Sequence, residues 1–549
     1  MTAGLRLPAR PRTTSLDLVL QGRLRTLRAT DTVAAIGIGL TFALAAGLRL
    51  PYLDHTGFTS DEAVYAGQAA ALVGEHPYEQ FLSLFRAHPL LLQLLLGAVF
   101  KVVSVSDVVA RVVMAVVFGL GTVAVTYKLA GVLYERRVAM LAALLLAIVP
   151  YHVLVSRQVM VDTAMALFVV LALWLFAHSL QTASPRVFVA GAIAAGAATL
   201  TKEVAVLLPA ALALFLIASG SWRVLPRRAL VYGAGFYALT VAPLVVSRML
   251  GPSGNASRFV LWQVSRPANH EADYFLRVLL QFTGAWFLVL IFIGLLVFVF
   301  RRSPADLFIS AWIGVFILFF QLWPTKLFPY LMPVMPALAI SAAVGMARLS
   351  QAVRALLGSG SLHRSIVAIG LGAVVALGVV TSWSAVTAFP GRPIGSVDLD
   401  IELQDFAGGR EMGQWARVNT PADARFLTLG PSVGNILRFY GYRDSVALSV
   451  SADPTKRNPS YVPVPNPDRA LRDSAVQYIV WDAYSADRSA FYNARLMRHV
   501  RNFSGTPVFA AYVDAGGDLI CTSGPAPAGA DVRFVVYSMA GGSRLVGDS

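Results

Sequence analysis

Apolar runs of about twenty residues recur from Asp31 to Trp383, each ended by charges, Pro or Gly. A helix needs about 20 such residues to cross roughly 30 Å of hydrocarbon. The pattern predicts eleven spans, over 32–50, 108–132, 138–155, 162–180, 187–201, 203–219, 229–249, 275–300, 305–323, 327–347 and 365–388. One further run, 89–103, is apolar but short and follows a polar loop. After Pro390 the period changes. Short alternating runs at Arg425–Leu429, Gln477–Trp481, Val508–Val513 and Val532–Tyr537 read as strands, Asn435–Tyr440 as helical, and Pro454–Pro467 as a Pro-rich loop.

Charge turns this string of helices into a topology. The chain of 549 residues carries 45 Lys/Arg against 30 Asp/Glu, a net +15. Residues 389–549 hold 16 of each, so the whole excess lies in the apolar part. A basic excess among spans is a topology signal, and no nucleic-acid partner is expected. If 89–103 crossed the membrane, Arg136–Arg137, Arg223/Arg227/Arg228, Arg301–Arg302 and Arg354/Arg364 would all face outside. If it lies in the interface plane, one side collects 18 Lys/Arg against 4 acids and the other 11 against 10. The positive-inside rule selects the second arrangement. The expected organisation is a basic cytoplasmic segment 1–30, a membrane domain 31–388 with a long outer loop 51–107, and an extracytoplasmic α/β domain 389–549. The basic segment reads as the leader of an uncleaved first helix rather than as a removable signal peptide. With 56% hydrophobic and 14% charged residues and a mean hydropathy of +0.64, a soluble enzyme is excluded. The single Cys521 permits no internal disulfide.

The outer loops hold the candidate chemistry. Asp61 and Glu62 open a predicted helix with Ser60 as its N-cap, and Tyr65 and His88 share that loop. Arg157 and Asp162 sit in a second, short loop, and Lys202–Glu203 at the top of a hairpin. Lys326 and Tyr330 follow Trp323-Pro324 at another turn. Each has a plain structural role available: acids favour helix N-termini, Arg snorkels, Lys202 and Glu203 can pair, and Tyr, Trp and Lys populate the interface belt. Together they place carboxylates able to deprotonate a hydroxyl beside cations able to hold a phosphate. A lipid-phosphate substrate suits that arrangement, its chain staying in the bilayer while its head rises to the charges.

These residues resemble glycosyltransferase family 39, which includes protein O-mannosyltransferases and the bacterial aminoarabinose transferases that modify lipid A. The likeness runs through Arg49, Asp61-Glu62-Ala-Val-Tyr65, Gly74, Pro77-Tyr78 and His88-Pro89-Leu90. It continues through Tyr134-Glu-Arg-Arg137, Ser156-Arg157, Asp162, Gly196–Glu203, and Lys326 with Tyr330-Leu-Met-Pro333, covering roughly 31–347. It implies a GT-C fold and a sugar donor on polyprenyl or dolichyl phosphate. By that resemblance Asp61 acts on the acceptor with Glu62 beside it, and Asp162 is the second acid of the cleft. Lys202 and Lys326, with Arg157 and Tyr330, match the surroundings of the donor phosphate, and Tyr65 and His88 belong to the substrate loop. His88-Pro89-Leu90 departs from the family, where a Lys or His is commonly followed by two prolines. The large extra domains of eukaryotic protein mannosyltransferases have no room here.

The expected protein is therefore a polytopic α-helical membrane glycosyltransferase with a small C-terminal α/β domain. It would move a monosaccharide from a polyprenyl-phosphate carrier to a lipid, glycan or protein hydroxyl on the outer face of the plasma membrane, by inverting displacement. A divalent metal between Asp61, Asp162 and Glu62 is chemically compatible, but the ligand set does not demand one. Three rivals stand beside this reading, one of them a non-enzymatic membrane scaffold with an external binding domain. A transporter would need charges at the bilayer midplane. An oligosaccharyltransferase would carry a Trp-Trp-Asp motif, of which Val480-Trp481-Asp482 supplies part.

Overall fold

The structure, a computed structural model, describes residues 29–82, 88–223, 225–250, 255–387 and 406–539. The basic segment before residue 29 and the expected domain boundary at 388/389 lie outside those residues. The helices used below are α1 (Ala29–Arg49), α2 (Ser60–Leu72), α3 (Leu91–Phe100), α4 (Asp107–Leu133, with a π-helical turn inside), α5 (Arg136–Ile148), α6 (Val161–Thr182) and α7 (Pro185–Thr201). Then come α8 (Leu207–Ser219), α9 (Arg227–Leu250), α10 (Asn255–Ser265), α11 (Tyr274–Thr283), α12 (Ala285–Arg301), α13 (Pro304–Leu322), α14 (Met335–Leu357) and α15 (Ser361–Thr387).

Among the described residues, six helices are long and apolar enough to cross a membrane, or seven if the bent pair α11–α12 is one span. Shorter apolar helices account for most of the remaining predicted spans, and the protein is an integral membrane protein. The run 89–103 yields only the ten residues of α3, packed against α2 with Gln93 donating to Gln68 at 3.0 Å. That fits a helix lying along the bundle. The span expected over 275–300 is instead broken. Gly284, at φ +81°, ends α11, and α12 leaves at 116° to it. A left-handed residue stops a helix and is open to glycine at little cost. In α11, Tyr274, Phe275, Val278 and Phe282 face the bundle while Leu276 and Leu280 are exposed.

Pro150 explains an unusual feature of the core. It lacks an N–H, so the Leu146 carbonyl at the end of α5 loses its helical partner. Arg49, fully buried at the end of α1, fills the gap: it donates to Leu146 O (3.3 Å), Ala147 O (2.8 Å) and Ala45 O (3.0 Å). It also contacts Ser156 Oγ at 3.0 Å and His152 Nδ1 at 2.8 Å. A buried guanidinium without a carboxylate is tolerated here because helix C-termini present partial negative charge.

The C-terminal part folds on one six-stranded sheet in the order β2-β1-β3-β6-β4-β5. The strands are β1 (Arg425–Thr428), β2 (Asp444–Ala447), β3 (Tyr478–Asp482), β4 (Thr506–Val513), β5 (Leu519–Thr522) and β6 (Asp531–Ser538). The three strands β2, β1 and β3 are parallel, and the rest pair antiparallel. All four predicted strands are present. The short β2 and β5 carry too little alternation to be read from sequence.

Candidate functional site

Antiparallel packing brings the charged ends of the bundle together. The helices α6 and α7 form a hairpin, so the first turn of α6 lies beside the last of α7. An acid suits the first position and a cation the second, each favoured by its helix dipole. Asp162 and Lys202 occupy them, with Lys202 Nζ 2.8 and 2.9 Å from the two carboxylate oxygens and both residues buried. The ammonium also lies over the Tyr330 ring, 4.5 Å from its centroid. Lys202 is therefore paired with Asp162 and not with Glu203, which meets His88 at 3.0 Å.

The loop after α1 is built around Glu62. Thr59, rather than Ser60, caps α2, and Glu62 returns the bond by accepting from Thr59 N at 3.0 Å. Arg111 of α4 forks onto both Glu62 oxygens at 2.9 and 2.8 Å and also holds the carbonyls of Leu53, Thr56 and Gly57. The Val159 amide donates to Glu62 as well, at 3.0 Å. Glu62 is fully buried and its oxygens are engaged, so it does not share the cleft with Asp61 as expected. It ties the two acid-bearing loops together.

The C-terminal unit grips the same loop from above. Tyr440 Oη accepts from Phe58 N and donates to Asp107, both at 2.8 Å. Arg410 reaches Asp54 O at 2.9 Å and Asp107 at 2.8 Å. A Cβ at Gly57 would come within 2.8 Å of the Arg410 Cβ, so the close approach requires glycine there. Asn435 Nδ2 donates to Ser60 Oγ at 3.0 Å, one residue from Asp61.

Between these parts lies a cleft of about 370 Å³. Asp61, Tyr65, His88, Asp162, Lys202 and Tyr330 all line it, as the sequence predicts. Asp61 is exposed to it. Burial, then the nearby Asp61 and Asp162 carboxylates, push the Tyr65 phenol well above its ordinary value, so it stays protonated. Besides Glu62, two expected residues do not line the cleft. Arg157 turns to the backbone carbonyls of Leu48, Arg49 and Tyr52. Lys326 is buried, and its main chain is clasped by Asn269, which takes the lining position instead. Residues not predicted for the site complete the walls: Trp262 and Arg266 from α10 and the segment after it, and Tyr461, Tyr484 and Arg488 from the C-terminal unit. Tyr461 falls inside the predicted Pro-rich loop, the one signal that could have marked this wall.

Among the described residues, no three His, Cys, Asp or Glu side chains are grouped to hold a metal ion. The expected trio does not converge, because Glu62 belongs to Arg111 and Asp162 to Lys202. Asp482 of the partial Trp-Trp-Asp string does not line this cleft. It is buried at the end of β3, caps the next helix through Ser485 N at 2.6 Å, and burial pushes its carboxyl up to about 6.

The whole chain has known structural counterparts. The aminoarabinose transferase ArnT from Cupriavidus metallidurans, bound to undecaprenyl phosphate, superposes with a TM-score of 0.65 at 18% identity, covering 93% of this chain and 98% of that one. The Archaeoglobus fulgidus oligosaccharyltransferase in its apo form superposes with a TM-score of 0.59 at 14% identity, covering 91% of this chain and 76% of that one. This is the GT-C fold. The family described as dolichyl-phosphate-mannose-protein mannosyltransferase matches residues 87–246, which carry Asp162 and Lys202. That match spans under a third of the chain. No curated protein matches it in sequence. In this GT-C-fold protein both acids that line the cleft come from the bundle, and the sheet unit adds Arg488.

Proposed function

We propose that the protein transfers a single sugar from a polyprenyl-phosphate carrier to a hydroxyl acceptor on the outer face of the membrane. The observation that carries this reading is an exposed Asp61 sharing one cleft with the buried Asp162–Lys202 pair. Undecaprenyl phosphate is bound in the ArnT structure, which supports a lipid-phosphate donor here. In this reading Asp61 takes the acceptor hydroxyl proton as that oxygen bonds to the anomeric carbon. The bond from that carbon to the phosphate breaks, and polyprenyl phosphate leaves with the electron pair, inverting the centre. Lys202 and Arg266 supply positive charge to the leaving phosphate, which favours departure in a water-poor cleft. Asp162 and Tyr330 position the Lys202 ammonium. Glu62 and Arg157 hold the loops behind the cleft, and Lys326 lies outside its lining.

The test is incubation of the purified protein with a panel of polyprenyl-phosphate sugars and hydroxyl acceptors. Consumption of one donor, with release of polyprenyl phosphate, is expected. Hydrolysis or transport of every donor without a glycosylated product would overturn the reading.

The sidedness rests on the loop charges and has its own check. In intact cells an impermeant maleimide should label the exposed native Cys521. In a Cys521→Ser background, Ser265→Cys should label from outside and Ser361→Cys only after permeabilisation. Burial pushes the Cys521 thiol up to about 11, so its labelling should be slow at neutral pH and faster in alkaline buffer. Labelling of Ser361→Cys in sealed cells would invert the topology.

A further inference from the structure

The bundle carries a second cavity at its opposite end, away from the catalytic cleft. The helices α12 and α14 run parallel and touch where glycines meet. A Cβ at Gly294 would fall on the Ser341 carbonyl oxygen, and one at Gly345 on that of Leu290. One to two turns further on, a groove of about 600 Å³ opens between them, backed by the start of α5. Its walls are apolar: Ile293, Leu296, Val297 and Phe300 from α12, and Val344 and Ala347 from α14. Its mouth is cationic, with Arg301 on one side and Arg348 beside Gln351 on the other.

Arg301 is aimed by a network of its own. Its Nε lies 2.8 Å from Asp306 Oδ2 and its Nη2 2.5 Å from Oδ1, while Ser303 and Tyr134 also donate to that carboxylate. This uses one edge of a guanidinium whose side chain is half-exposed. Arg348 is exposed and donates to Gln351 Oε1 at 3.1 Å. Asp306 is consumed by these bonds and Glu135 is exposed at the rim, while Arg136, Arg137, Arg302 and Arg354 add positive charge at the same end. Apolar walls leading to paired arginines at a bundle end complement an acyl chain ending in a phosphodiester.

We propose that this groove binds an anionic glycerophospholipid, with an acyl chain along α12 and its phosphate between Arg301 and Arg348. The site is independent of the transfer reaction and of the assignment of Asp61.

The full chain in neutral detergent, titrated with dioleoylphosphatidylglycerol and followed by native mass spectrometry, tests it. Saturable binding near one lipid per chain is expected, with dioleoylphosphatidylcholine and soluble glycerol 3-phosphate both far weaker. Arg348→Glu should weaken phosphatidylglycerol about ten- to a hundredfold, since one charge-assisted contact is lost. Arg348 is exposed, so that variant should fold. Ala347→Phe, which fills the apolar floor, should weaken the lipid without changing the charge. Equal binding of the two lipids, or full affinity in Arg348→Glu, would overturn the site. So would polyprenyl phosphate displacing phosphatidylglycerol at equal concentration, because the groove would then belong to the donor.

Discussion

Asp61→Asn should yield a folded protein with normal thermal stability that transfers sugar about 10²–10⁴-fold more slowly, the usual loss when a general base is removed. Thr59 caps α2, so the substitution removes no capping bond. Asp61 is also exposed to the cleft, so the neutral amide disturbs little packing. The measurement is turnover with the donor found in the panel, beside a melting curve in the same detergent. A parent-like rate in a well-folded Asp61→Asn protein would remove Asp61 from the chemistry.

Glu62→Gln should behave in the opposite way. The carboxylate is fully buried against Arg111, and removing one partner of a buried pair strands the other charge, at a cost of about 3–5 kcal/mol. The expected result is a lowered melting temperature and poor yield, with the surviving folded fraction more active than Asp61→Asn. The double variant Glu62→Gln/Arg111→Met should recover part of the loss, since no charge is then left unpaired. A Glu62→Gln protein as stable as the parent but inactive would return Glu62 to the catalytic set.

The contrast between these adjacent acids shows where sequence reading reaches its limit. Apolar length places the helices well, because the bilayer imposes that rule on each segment separately. It also places Asp162 and Lys202 at helix ends, where dipoles favour them. Which of Asp61 and Glu62 faces the cleft depends on Arg111, some fifty residues away, and no local pattern reports that partner. Lys202 has a neighbour of opposite charge in sequence, yet its real partner is forty residues away across a hairpin. Arg157 and Lys326 occupy the expected ends of their elements, but Arg157 bonds to backbone carbonyls and the Lys326 main chain is held by the Asn269 side chain. The wall contributed by Tyr461, Tyr484 and Arg488 depends on how the sheet unit sits on the bundle, which periodicity does not encode. The break at Gly284 is legible only in hindsight, since a glycine within an apolar run signals equally well a helix contact such as that at Gly294.

The grip of the sheet unit on the Asp61 loop bears on how such enzymes can be recombined. Arg410, Asn435 and Tyr440 reach across to Asp54, Ser60 and Phe58, so the sheet unit also sets the position of the loop that carries Asp61. The two halves are therefore not interchangeable modules. A graft of residues 406–539 from a relative, made to alter acceptor range, would have to bring the same three side chains to the same places. Without them the transplanted half would loosen the reacting centre of its host.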